Sequence, residues 1–298
     1  MSRPRLLALL PLLAACGPRA VVVDAPTVDV VIPPTAPLVV REGFTAPEAV
    51  RYDADQDVYF VSNFGAGDAG ERDDNGFISR MRPDGSIERL RFIAGGTGGV
   101  TLHAPRGMTI VGDTLWVADA DAVRGFHRRT GAPLASVDFS GEDVGFLNDV
   151  AADAEGAVYV TDTGRDRVYR VRGGPTLAIA DARLGRPNGI TWDAAGARFI
   201  LVPYGGDSVL RAWRPGSAAL VEVGRSGGGR FDGVEVLGGG RLLVASQADT
   251  SLHLFEHGRG RPILRTAGRP ADIAVDTRRN RVAVPIIALN RVEIWALP

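Results

Sequence analysis

Glu48, Asn148, Asn188 and Asp232 are four oxygen donors, and each stands just before a strand of one recurring pattern. Two carboxylates with two amide carbonyls suit a hard divalent cation, Ca2+ first, then Mg2+ or Mn2+, and disfavour zinc or copper. Their two negative charges would balance the ion and leave positions for water or a small-molecule substrate. Arg106 and Ala271 hold the same place in two further repeats. One residue on, Asp149 and Asp272 occupy matching positions and are candidates for a general base. Arg106 is a catalytic and substrate-orienting candidate, and His103, three residues before it, is a second substrate contact.

The six positions are separated by 58, 42, 40, 44 and 39 residues. A period near forty in an all-strand pattern predicts a β-propeller with one blade per repeat, whose inner strands converge on a central channel. Asn148 to Ala152, Ala157 to Thr161, Arg167 to Val171 and Thr176 to Ala180 read as the four strands of one blade, by alternation and Gly/Asp punctuation. GMTIVGDTLWVADA, GITWDAAGARFILVP, GVEVLGGGRLLVAS, DIAVDTRRNRVAVP and AVRYDADQDVYFVSN repeat the frame. The expectation is an all-β, six-bladed propeller of four-stranded blades. The last repeat has only three strands after Ala271, so Pro37 to Arg41 is expected to supply the fourth and close the ring.

The N-terminus carries Arg3 and Arg5, an apolar run from Leu6 to Leu13, and Leu13-Ala14-Ala15-Cys16. This reads as a lipoprotein signal over residues 1–15, with lipid on Cys16, the chain's single cysteine. Residues 16–36 read as a Pro-rich tether and residues 37–298 as the propeller. Gly17 after the cysteine favours the outer membrane, so the expected place is the bacterial cell envelope, facing the periplasm. The formal charge is −1 and all 34 basic residues are arginine. No basic run suggests nucleic acid as a partner, and the lack of lysine excludes Schiff-base and P-loop chemistry. A protein partner is compatible with this composition.

Asn63 to Gly76 lengthens the first repeat. It reads as a solvated loop, with a lid or a second cation site on Asp68, Glu71, Asp73 and Asp74 as alternatives. Gly65 to Gly70 fits G-x-G-x-x-G and Gly224 to Gly228 fits G-x-S-x-G. Neither is followed by the helix that gives those motifs their chemistry. His127, His253 and His257 are scattered, and no pair has metal-binding spacing.

At the strand starts the sequence resembles the SMP-30/gluconolactonase/LRE-like family, through APEAV at Glu48, FLNDVAADAEGAVYVTDT at Asn148, RPNGITWD at Asn188 and FDGVEV at Asp232. The resemblance covers the chain from about residue 40 onward. It implies a six-bladed propeller with one catalytic divalent cation on Glu48, Asn148, Asn188 and Asp232. It further implies hydrolysis of a lactone or related ester. Members commonly carry an arginine where this chain has Phe146, which therefore borders the substrate position. The phosphotriesterase-type relatives use a histidine near Asp272.

Two other readings stand beside this one. Asn and Asp before a strand often cap turns through local backbone bonds. Asn148 to Val171 also resembles an NHL repeat, whose propellers are often binding modules, here with a structural cation or none. A metal-free structural envelope protein is a third and weaker reading.

Overall fold

The computed structural model describes residues 34–298. The expected signal, Cys16 and most of the tether lie outside those residues. Every regular element among them is a strand, apart from three single 3-10 turns.

Twenty-four strands follow the expected period. After β1 (Val39–Glu42), β2 (Pro47–Asp53), β3 (Val58–Asn63), β4 (Phe77–Met81) and β5 (Ile87–Ala94) form one antiparallel sheet in chain order. β6 (Met108–Val111), β7 (Thr114–Ala118), β8 (Ala122–His127) and β9 (Pro133–Asp138) form the next. β10 (Leu147–Ala152), β11 (Val158–Asp162), β12 (Arg167–Arg170) and β13 (Thr176–Ala180) repeat the arrangement.

An eight-stranded sheet follows. One half holds β14 (Pro187–Asp193), β15 (Arg198–Pro203), β16 (Val209–Trp213) and β17 (Leu220–Arg225). The other holds β18 (Phe231–Val236), β19 (Leu242–Ser246), β20 (Ser251–Glu256) and β21 (Arg259–Arg265). A single parallel pair, Arg225 with Arg259, joins the halves at their outer edges. β22 (Ala274–Asp276), β23 (Arg281–Ile286) and β24 (Arg291–Ala296) form the last sheet, whose outer strand is β1.

The apolar core lies between the sheets. Six clusters of buried side chains each join the facing surfaces of two successive four-strand runs. Phe60 and Ile78 meet Leu115 and Phe126 in one; Tyr159, Phe199 and Trp213 fill another. Strands sandwiched this way must be apolar on both faces, which is why β3 (VYFVSN) and β11 (VYVTD) are buried throughout.

β1 pairs antiparallel with β24 from Val39 opposite Ile294 to Glu42 opposite Arg291, and Leu38 N–H donates to Ile294 O at 2.7 Å. Val39 also packs on the cluster holding Val50, Tyr59, Val292 and Ile294, between the first and last repeats. Deleting residues 37–42 should therefore lower the melting temperature of the full chain by about 5 °C or more. An unchanged thermal melt would show that β1 adds nothing to closure.

Candidate functional site

Four inner strands share an irregularity at one place. The pairing register shifts between Pro47 and Val50, Leu147 and Val150, Pro187 and Ile190, and Phe231 and Val234. Each shift spans one of Glu48, Asn148, Asn188 and Asp232. A bulge leaves its residues out of the ladder and re-aims their side chains, a device common beside functional sites.

All four donors are buried: Glu48 is 4% exposed, Asn148 4%, Asn188 5% and Asp232 3%. Asp232 Oδ2 accepts from Gln247 Nε2 at 2.6 Å, while Asn148 Nδ2 donates to Thr163 Oγ1 at 3.0 Å. Asn188 lies close enough to the Asp232 carboxylate to oppose the rise in its proton affinity. Among the described residues, Glu48 Oε2 and Asp232 Oδ1 are buried with no hydrogen-bond partner. An unsatisfied buried oxygen costs about 1–3 kcal/mol, more when charged. Two such oxygens beside two amide carbonyls match the donor set of a hard cation.

Burial, then the nearby Asp232 and Asp149 charges, pushes Glu48 well above the ordinary carboxylate range against the pull of Arg106. Burial, with Asp149, pushes Asp232 up to about 7. Without a counter-charge these two buried carboxylates resist holding their full negative charge.

Turn capping fails as an account of the four. Among the described residues, none of their side chains accepts from a neighbouring backbone N–H. The aspartates at the far ends of the inner strands do so. Asp53 Oδ1 accepts from Asp55 and Gln56, Asp153 Oδ1 from Glu155 and Ala157, Asp193 Oδ1 from Gly196, and Asp276 Oδ1 from Arg278 and Arg279.

One residue deeper, Asp149 and Asp272 are equally buried but differ in use. Asp149 accepts from Val150 N–H at 2.7 Å and from Ile190 N–H of the next repeat at 2.8 Å. Both its oxygens are occupied, which makes it a clamp between inner strands. Burial nonetheless raises it to about 7, over the opposing pull of Arg51 and those two N–H groups. Asp272 Oδ2 has no partner. Burial, then Asp149, holds this carboxyl well above its usual range, with Arg51 opposing. Glycine makes room for both: a Cβ on Gly107 would lie 2.0 Å from Asp149 Oδ1, and one on Gly233 2.6 Å from Asp272 Oδ1.

Arg106 faces the same axis, beside Glu48, but its guanidinium is largely spent. Nη1 donates to Asp119 O at 3.1 Å and Leu147 O at 2.7 Å, and Nη2 donates to Ala69 O. The Phe146 ring lies beneath it, 3.8 Å from Cζ to the ring centre. Burial pulls Arg106 down to about 10 despite Glu48 and Asp119. Phe146 therefore sits against Arg106, which occupies one face of its ring.

The loop after β3 is more fixed than a solvated loop. Besides the Ala69 contact, Asp74 N–H donates to His103 Nδ1 at 3.1 Å, and Leu102 N–H donates to Asp74 Oδ1 at 2.8 Å. The loop is tied to the mouth through Arg106 and His103, while Asp68, Glu71 and Asp73 remain exposed.

His103 turns away from the four donors, toward Asp74 and Asp121. With Asp119 and Asp121 it makes a group of metal-ligand type. Those carboxylates are already used: Asp119 accepts from His103 N–H, Ala104 N–H and Arg124 Nε, and Asp121 from Arg124 Nη2. Arg124 holds the place a cation would take.

Residue-type reasoning passed over Gln247 and Thr163. Both stand one residue past the end of a second strand, β19 and β11, so aligning second-strand ends as well as first-strand starts would have found them.

No protein-family model and no curated protein matches the sequence. Solved structures match its fold. A gluconolactonase from Xanthomonas campestris has a TM-score of 0.67 over 87% of this chain and 88% of its own, at 18% identity. A structure described as a putative gluconolactonase gives 0.64 over 88% and 93%, at 14% identity. Virginiamycin B lyase from Staphylococcus aureus, solved as an inactive variant with quinupristin, gives 0.60 over 87% and 99%, at 13% identity. At such identities the likeness is one of fold, an all-β propeller.

Proposed function

We propose that this chain is a six-bladed propeller, closed by β1 on β24, that hydrolyses a lactone or related ester with a divalent cation at its channel mouth. The observation that carries this reading is the coincidence of four bulged inner strands with four buried oxygen donors, two of whose carboxylate oxygens lack partners. The gluconolactonase-like neighbours in fold support it as analogy.

Glu48, Asn148, Asn188 and Asp232 would hold the ion, Ca2+ first among the hard cations. When bound, such an ion polarises an ester or lactone carbonyl and steadies the charge that develops on its oxygen. Asp272 takes the proton of the attacking water at Oδ2, an oxygen with no hydrogen-bond partner among the described residues. Asp149 holds two inner strands in register for it. Gln247 fixes the orientation of Asp232. Arg106 and Phe146 act as positioning residues that hold the loop after β3 over the mouth. Export and lipid anchoring at Cys16, on the motif Leu13-Ala14-Ala15-Cys16, complete the proposal.

The test is a pH-stat assay of the full chain on a panel of five- and six-membered lactones. Hydrolysis should vanish on treatment with a chelator and return with Ca2+. Hydrolysis that ignores the chelator would sink the cation. Saturable Ca2+ binding with no turnover of any lactone or ester would favour a binding module of NHL type.

A further inference from the structure

Charge around the mouth is uneven. The loop after β3 brings Asp68, Glu71 and Asp73, all exposed, with Arg72 among them, and Glu142 and Asp143 stand exposed before β10, Asp143 paired with Arg165. On the opposite side, the residues two before Asn188, Asp232 and Ala271 are Arg186, Arg230 and Arg269, and all three are exposed. In the first three repeats the same position holds Ala46, Ala104 and Phe146.

Main-chain bonds tie this arginine arc to the candidate site. Tyr204 N–H donates to Arg186 O at 2.9 Å, and Gln247 N–H donates to Arg230 O at 3.2 Å. The Arg186 guanidinium lies over the Tyr204 ring, 5.4 Å from its centre. Tyr204 OH donates to Gln247 Oε1 at 3.5 Å, and Gln247 in turn donates to Asp232. Arg186 is thus two side chains removed from a proposed cation ligand.

The three guanidinium groups make no ion pair among the described residues. Nearby carboxylates are engaged elsewhere: Asp166 by the Arg186 backbone N–H, Asp207 by Arg211, and Asp249 by His253 and Ser251. Many of the chain's other arginines are paired, as Arg124 with Asp119 and Arg128 with Asp53. Three guanidinium groups without an ion pair, at the same position of adjacent repeats, form a basic arc that suits an anion.

We propose that the substrate carries a carboxylate, and that Arg186, Arg230 and Arg269 hold it while the scissile carbonyl lies toward the four donors. This rests on the hydrolase reading above and adds the substrate's class and orientation. The bare ring of buried carboxylates would repel an anion, so the arginine arc supplies the compensating charge. Guanidinium pairs with carboxylate in a planar fork, which fixes direction as well as charge.

The experiment compares 5-oxotetrahydrofuran-2-carboxylate, a lactone bearing a carboxylate, with its neutral carboxamide, on the full Ca2+-loaded chain. The carboxylate should be preferred in kcat/KM by roughly tenfold or more, as expected for charge-assisted bonds. In the triple variant Arg186→Gln, Arg230→Gln, Arg269→Gln, that ratio should fall toward one, mainly through KM. A ratio unchanged in the variant, or absent in the parent, overturns the inference.

If neither lactone is turned over, calorimetric titration with 2-hydroxyglutarate decides separately. Binding that the triple variant weakens roughly tenfold keeps the anion site while the hydrolase reading falls. Equal or absent binding in both chains overturns the site as well. All three arginines are exposed, and a matching thermal melt checks that the variant is folded.

Discussion

Asp232→Asn is expected to abolish saturable Ca2+ binding in a calorimetric titration of the full chain. Lactone hydrolysis should fall with it by roughly a hundredfold or more, since even residues that merely orient a metal ligand are worth about 10–100-fold. The change is nearly isosteric and keeps a partner for Gln247, so it tests charge rather than shape. In the metal-free protein the sign should reverse. Asp232 is buried, its Oδ1 is unpartnered, and its charge repels Glu48 and Asp149. Neutralising it should leave the metal-free melting temperature unchanged or higher. A turn cap would behave in the opposite way, with stability lost and cation response unaltered. A variant that binds Ca2+ as the parent does would remove Asp232 from the site.

The second large effect is a coupling between pH, cation and stability. Asp149 and Asp232 are raised to about 7, and burial with neighbouring carboxylates holds Glu48 and Asp272 well above the ordinary carboxylate range. A carboxyl whose folded pKa lies above its unfolded one binds more protons when folded. Stability is then greatest below the unfolded value and declines as pH climbs through the folded one. The metal-free protein should therefore lose stability between pH 5 and pH 8, by about 5 °C or more in melting temperature. Asp57, held low by Arg279 and Tyr52, titrates below this window and cannot mask the trend. Saturating Ca2+ should reverse the slope, because the ion binds the ionised carboxylates and displaces their protons. Differential scanning fluorimetry at three pH values, with chelator and with Ca2+, reads both slopes. A metal-free melt that rises or stays flat from pH 5 to pH 8 would contradict the assigned charge burden.

The repeat and the four donors were legible because inner strands keep one frame, so aligning them aligns the residues at their starts. What escaped reading depends on partners that leave no residue-type mark. Arg106 reads as a substrate arginine, yet both its terminal nitrogens donate to the carbonyls of Ala69, Asp119 and Leu147, which any sequence would offer. Asp149 and Asp272 look identical in sequence. Only the N–H groups of Val150 and Ile190, brought to Asp149 by the bulges, separate a clamp from a free carboxyl. The loop after β3 is polar and glycine-rich, which signals solvent, while the contacts that tether it come from side chains of the next repeat. Arg186, Arg230 and Arg269 were hidden by position, since they fall in connecting segments and line up only once the ring residues are numbered across repeats.

The pairing of β1 with β24 also sets an order of events during synthesis. Val39 is among the first propeller residues to emerge from the ribosome and Ile294 among the last, yet they lie opposite one another. Contacts of such separation close slowly, because the loop entropy must be met before the contact returns anything. Until the final strand is delivered, β1 and the flank of β2 have no partner, and the growing chain is an arc with two raw edges. Such edges are where nascent β proteins pair with the wrong neighbour. The exposed Glu42 at the end of β1 suits a strand that must wait in solvent for its match.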